Sequence, residues 1–267
     1  MAGAAQPSSA SRISRPMRGL SLLVYLFLYI PLIVVIVYSF NASRVQSGEW
    51  GGFTLDWYSK LLHNETLLNA TLNSLIIGIA AAAIATVLGT LAGLALHRHK
   101  LRLLPALVLA PVAIPEILQA VSLVLFFNAI NLTLGMVSII LSHVAFCISF
   151  VAIVVRSRLQ GMDESLTEAA RDLGATPWQA FRMVTLPLIM PGIIAGALMA
   201  FTLSIDDFVI TFFTSGPDAA TLPLQIYSMI KVVVTPEVNA VSTLLMLLTL
   251  ILIIIANKIA PSALQAK

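Results

Sequence analysis

The sequence predicts an all-α membrane protein with six transmembrane helices and both termini on the cytoplasmic side. Three observations lead there. Of its 267 residues, 59% are apolar and only 10% are charged, against roughly 45–50% and ~25% in water-soluble domains, and the mean hydropathy is +0.97. Six apolar stretches each reach the ~20 residues that a helix needs to cross ~30 Å of hydrocarbon. The basic residues fall almost entirely on one side of those stretches. This composition excludes a soluble enzyme and a disordered chain, and the single Cys147 excludes an intrachain disulfide framework. A net charge of +3 is too small to indicate nucleic acid as a partner.

Taken in order, the spans are expected at about 20–40, 72–96, 103–127, 134–155, 186–208 and 238–256. All are rich in Leu, Ile, Val and Ala and lack the alternation of a barrel strand, so helices are what can satisfy their backbone in lipid. Residues 1–18 are polar and rich in Ser and Ala and are expected to be disordered, leaving 19–267 as one transmembrane domain. The first stretch is too long for the apolar region of a signal peptide and is read as retained. Between the first two spans, Trp57 and Tyr58 precede Leu61, Leu62, Leu67 and Leu68, which suits a helix lying at the membrane interface. Pro105, Pro111 and Pro115 kink the third span. Residues 214–237, with Pro217, Pro223 and Pro236, read as a surface-lying or partly inserted segment.

Orientation follows from Lys and Arg. Arg12, Arg15 and Arg18 precede the first span, Arg98, Lys100 and Arg102 follow the second, and Arg156, Arg158, Arg171 and Arg182 follow the fourth. With Lys258 and Lys267 in the tail, that makes 12 on one side against Arg44, Lys60 and Lys231 on the other.

The connection 161–187 is the most informative. Ser165 with Glu168 fits a capping box, so a short helix is expected from Ser165 to Leu173, ended by Gly174 in a left-handed conformation. Thr176 with Gln179 repeats the pattern around Pro177, which suits a first helical position, and a second short helix is expected to reach Val184. Two capped helices joined by a glycine make a rigid cytoplasmic knob, or else an ordinary amphipathic connection.

Glu168-Ala169-Ala170, then Gly174, then Val184, Leu186 and Pro187 resemble the EAA loop of bacterial ABC importer permeases, with Val184 in the isoleucine place. Over most of the chain the resemblance narrows to the second membrane subunit of polyamine-type (spermidine/putrescine) importers. The strings that carry it are Tyr29–Asn41, Ser142–Cys147, Glu168–Thr176, Phe201–Phe213 and Leu222–Ala240. The resemblance implies the type I importer permease (MetI-like) architecture in a bacterial inner membrane. It also implies that Glu168, Ala169, Ala170 and Gly174 belong to a coupling helix seated in a cleft of an ATP-hydrolysing subunit. Expected partners are a second, homologous permease, two ATP-binding subunits and a periplasmic solute-binding protein. No cofactor is expected in this chain, ATP and magnesium belonging to the partner, and relatives of this branch carry other solutes, opine-like or otherwise cationic.

Ionisable groups within spans are functional candidates because each costs about 2.5–3.5 kcal/mol at a helix centre. Asp206 and Asp207 end the fifth span and Glu116 lies inside the third, with Gln119 one turn on. These four are the candidate lining of a cation path. Asp206 and Asp207 point about 100° apart, so at most one looks straight into a narrow path. Phe201, Phe208 and Phe212 make an aromatic stripe beside them, able to attract an ammonium or simply to pack. His143 and Asn128 read as hydrogen-bonded within the bundle, and His97 and His99 as charge in a basic turn without metal spacing. The chain has no P-loop sequence and no nucleophile–base–acid set. An ion-coupled carrier would also use intramembrane acids without needing the knob, and a membrane-embedded enzyme would need a catalytic set here from Asp206, Asp207 and His143.

Overall fold

The computed structural model describes residues 15–43, 49–98, 103–232 and 236–259. Twelve α-helices follow one another, without a strand among the described residues: α1 (Arg15–Tyr38), α2 (Asp56–Leu61), α3 (Glu65–Arg98), α4 (Leu103–Ala113), α5 (Glu116–Ala129), α6 (Met136–Gln160), α7 (Ser165–Asp172), α8 (Pro177–Ala180), α9 (Leu186–Asp206), α10 (Val209–Thr214), α11 (Leu222–Val232) and α12 (Pro236–Ile259). A π-turn, Phe181–Thr185, joins α8 to α9. Five helical segments are long and apolar enough to cross a membrane, and α4 with α5, bent by 110°, make a sixth if the pair is one span.

Helix α6 is the most buried span and the centre of the bundle, with α3 and α9 against it. Small residues make this possible: Ala81, Ala82, Ala85, Gly89 and Gly93 recur on one face of α3 and let the backbones approach. A Cβ on Gly89 would lie 2.6 Å from Val151 Cβ and 2.9 Å from the Ile148 carbonyl of α6. The core is then filled by Cys147, Val151 and Val155 of α6 with Ile189 and Ala200 of α9. A second cluster of Trp57, Leu61, Leu67, Ala240 and Val241 ties α2 and the start of α3 to α12. Helix α1 buries little of itself within the chain.

Several expectations change. Helix α1 starts at Arg15, so residues 15–18 are helical rather than disordered; Pro16 is tolerated in a first turn and leads straight into the apolar run. Residues 1–14, with Arg12, and likewise Arg44, His99, Lys100, Arg102 and Lys267, lie outside the described residues. The interfacial helix ends at Leu61, and Leu67 and Leu68 belong to α3, because Asn64 Oδ1 accepts from the Leu67 N–H (3.2 Å) and starts a new helix. Pro115 breaks the third span outright instead of kinking it: it precedes α5 with φ −54° and ψ 135°, and a proline cannot continue the ladder of α4. The fifth span stops at Asp206, leaving Phe208 beyond it. The second cytoplasmic helix is not a separate piece, since Pro177–Asp206 runs as one 30-residue helical segment through the π-turn.

Candidate functional site

Two broken spans meet around one cavity of about 370 Å³. Its polar lining is Glu116, Gln119, Asp206 and Asp207, and its apolar walls include Val112, Phe146, Phe150 and Leu203. All four of the intramembrane residues singled out from the sequence are therefore brought together, but they differ in what is left free. Gln119 Nε2 donates to the Pro111 carbonyl (2.6 Å) and the Ile114 carbonyl (2.8 Å). These belong to the broken end of α4, where helical partners are missing. The amide thus repairs the break, and its donors are committed.

Asp207 is committed too. It is buried, and Oδ2 accepts from the Thr211 N–H (2.8 Å) and hydroxyl (2.8 Å). His143 of α6, fully buried, places Nε2 at 3.2 Å from the same oxygen and Nδ1 at 2.6 Å from Ser204 Oγ. A neutral ring satisfies this with Nε2–H donating to the carboxylate and the serine hydroxyl donating to Nδ1. The cluster pins the break between α9 and α10 to α6. Asp206, by contrast, is exposed to the cavity and its carboxylate makes no hydrogen bond among the described residues, while Glu116 lines the same cavity as Asp207. Three carboxyls gathered in one cavity call for a counter-charge, a shared proton or a cation. Helix α9 also points its C-terminal, electronegative end to this region. The site is built to hold positive charge.

His143 is the residue that the sequence underrated: it hydrogen-bonds within the bundle, as expected, but to the acid itself. Asn128 does not; its side chain is exposed. The aromatic stripe divides. Phe201 packs over Gly78 of α3, whose Cβ would lie 3.1 Å from the ring, whereas Phe208 and Phe212 stack with ring centroids 5.6 Å apart on another face. Among the described residues no cluster of His, Cys, Asp and Glu could hold a metal, and His97 pairs with Glu164 at 3.3 Å.

At the other end, α7 and α8 form the expected knob. Gly174 turns the chain with φ +91°, a conformation open to glycine at little cost. Thr176 and Gln179 form the capping box: the Gln179 N–H donates to Thr176 Oγ1 (3.3 Å) and the Thr176 N–H to Gln179 Oε1 (2.8 Å). The Ser165–Glu168 box does not form. Asp163 Oδ1 accepts from the Ser165 N–H instead (3.0 Å), which holds its carboxyl below the usual carboxylate range and leaves Glu168 exposed. Ala169 and Gly174 are exposed and Ala170 half-buried. Leu173, Trp178 and Met183 stand 90%, 66% and 74% exposed around them, an apolar surface of the kind that marks an interface.

The family described as binding-protein-dependent transport system inner membrane component matches residues 85–264. The spermidine/putrescine transport system permease protein PotC of Escherichia coli (strain K12) is 43% identical over 252 residues, covering 93% of this chain and 95% of that one. The putrescine transport system permease protein PotI of the same organism is 42% identical over 235 residues, covering 84% and 83%. Among solved structures, the MetNI methionine ABC transporter in inward-facing conformations superposes with a TM-score of 0.64 at 22% identity, over 74% of this chain and 96% of that one. A bacterial ABC transporter that imports alginate gives 0.69 at 16% identity, over 96% and 99%. With a matching family over its last two thirds, relatives along nearly its full length and the importer-permease fold, the chain belongs to the inner membrane components of binding-protein-dependent transport systems.

Proposed function

We propose that this chain conducts a polyamine, putrescine or spermidine, through the inner membrane as one permease subunit of an ATP-driven importer. The observation that carries the reading is the acid-lined cavity between two broken spans, in a chain 43% identical to a spermidine/putrescine permease. Glu116 and Asp206 offer carboxylates to ammonium groups, and Phe146, Phe150 and Leu203 offer apolar walls to the methylenes between them. Asp207 and Gln119 hold the geometry. Both termini and the 161–187 knob face the cytoplasm, on the evidence of the Lys and Arg distribution.

A second, homologous permease completes the passage. Two ATP-binding subunits, which hold ATP and magnesium, seat Glu168, Ala169, Ala170 and Gly174 of the knob, and a periplasmic binding protein delivers the substrate. Closing of the ATPase pair moves the knob, and the 30-residue segment Pro177–Asp206 carries that movement to the acid site. The physical minimum is a passage with two states whose balance ATP shifts.

The test is uptake of radiolabelled putrescine and spermidine by cells lacking other polyamine importers and expressing the whole complex. Asp206→Asn and Glu116→Gln, at unchanged membrane abundance, are each expected to cut uptake by roughly ten-fold or more, the scale of losing one charge-assisted contact of ~1.5–3 kcal/mol. Wild-type complex without saturable polyamine uptake overturns the reading.

A further inference from the structure

The segment 207–212, which leads into helix α10, has a second face. Asp207 and Ile210 look into the acid cavity, while Phe208 and Phe212 turn away from it towards Tyr227 of α11. The three rings form a continuous surface, with centroids 5.6 Å apart for Phe208–Phe212, 4.7 Å for Phe208–Tyr227 and 6.2 Å for Phe212–Tyr227. Phe212 and Tyr227 remain 46% and 36% exposed. One group already sits on this surface: Lys231 Nζ lies 4.9 Å from the centroid of the Tyr227 ring. A lysine side chain ends in a primary alkylammonium, the same group that ends a diamine. Its carrier helix is fixed to the bundle, since the Leu222 N–H donates to Ser74 Oγ of α3 (2.8 Å). The ring surface therefore holds a tethered ammonium on Tyr227, and its first ring, Phe208, lies two residues along the chain from Asp206.

We propose that Phe208, Phe212 and Tyr227 form an outer ammonium-binding station that passes an alkylammonium substrate to Asp206, and that Lys231 occupies it between turnovers as a tethered competitor. The inference rests on the polyamine reading of the acid cavity and adds a site upstream of it. Rings attract a cation through their π faces without taking its hydrogen bonds, so the incoming ammonium keeps part of its hydration until it meets the carboxylates. Displacing a ring-bound lysine also couples arrival of substrate to release of α11's last turn. Because the rings need no N–H donor from the ligand, the station accepts tetramethylammonium, which cannot donate to Asp206 or Glu116.

The test is putrescine uptake by proteoliposomes holding the whole complex, with tetramethylammonium as a competing probe and variants compared at equal abundance. Lys231→Met, which empties the station, is expected to lower KM about three-fold and to strengthen tetramethylammonium inhibition, whereas Phe212→Leu with Tyr227→Leu raises KM about three- to five-fold and abolishes that inhibition, the scale of one exposed cation–π contact. Tyr227→Phe, which keeps a ring, gives a KM closer to wild type than Tyr227→Leu does. If Asp206→Asn stops uptake while the ring and lysine variants leave both KM and tetramethylammonium inhibition unmoved, the station is overturned and the acid path stands. If wild-type proteoliposomes take up no putrescine, the path reading falls and the station with it.

Discussion

Asp206 and Asp207 are neighbours in sequence with opposite fates, and the reason is where α9 ends. The last helical residue, Asp206, keeps its carboxylate in the cavity, while Asp207, with ψ 125°, swings its carboxylate back onto Thr211 and His143. Replacing them is therefore expected to do different things. Asp206→Asn keeps abundance and loses uptake. Asp207→Asn takes away the charged acceptor that His143 and Thr211 share and sets an NH2 donor beside theirs, and losing a hydrogen bond to a charged group destabilises by about 1.5–3 kcal/mol. Its signature is a lower melting temperature of the detergent-purified complex, with His143→Ala giving a similar loss and the double variant less than the sum of the two. Equal melting temperatures for Asp206→Asn and Asp207→Asn would refute this division. The acids were legible in the sequence because charge inside an apolar run is costly wherever it points. His143 was not legible as their partner, since 64 residues separate it from Asp207 and only the packing of α6 on α9 brings them together.

At the scale of elements, the same contrast holds. The Gly174 turn and the Thr176–Gln179 box were readable because each is a local bargain between neighbours, closed within three or four residues. The Ser165–Glu168 box has the same spacing and fails, because Asp163 reaches the Ser165 N–H first. The π-turn at Phe181–Thr185 leaves no pattern in the sequence at all. Gly174→Val forces a β-branched residue to φ +91° at a cost of about 1–2 kcal/mol. The turn is exposed, so the expected result is a complex that assembles but hydrolyses ATP without importing, measured as phosphate released per putrescine taken up. Gly89→Leu tests the bundle instead. Its Cβ would already crowd Val151 and the Ile148 carbonyl, and forcing extra bulk into a packed interface costs about 1–3 kcal/mol or more. Loss of membrane abundance is expected, and full abundance with normal uptake would contradict the α3–α6 contact.

For the whole molecule, the proposed coupling requires that a knob at one end bias acids at the other. The 30 residues of Pro177–Asp206 span about 45 Å at ~1.5 Å per residue, enough to join the two without an intermediary. A uniform rod would pass on every thermal jolt of the knob, and two features soften this one. The π-turn widens the helix by one residue where it leaves the knob, and a cavity of about 330 Å³ lies beneath, lined by Thr167, Glu168 and Thr185. The hydroxyls of Thr167 and Thr185 are buried there without a partner among the described residues. The π-turn and the cavity leave room for the knob to turn against α9. A π-turn is an α-helix with one residue inserted, so deleting Met183, itself 74% exposed, restores an unbroken α-helix while keeping the facing of the residues on either side. If the turn is the flexure, the deletion leaves assembly intact and locks the passage, lowering uptake by roughly five-fold or more while ATP binding still closes the partner subunits, an effect of ~1 kcal/mol or more on the balance of the two states. Crosslinking yield between Ala169 and the ATP-binding subunit, compared with and without ATP, reads the closure directly. Uptake at the wild-type rate with Met183 deleted would mean that the span moves as a rigid rod and that the flexure lies elsewhere.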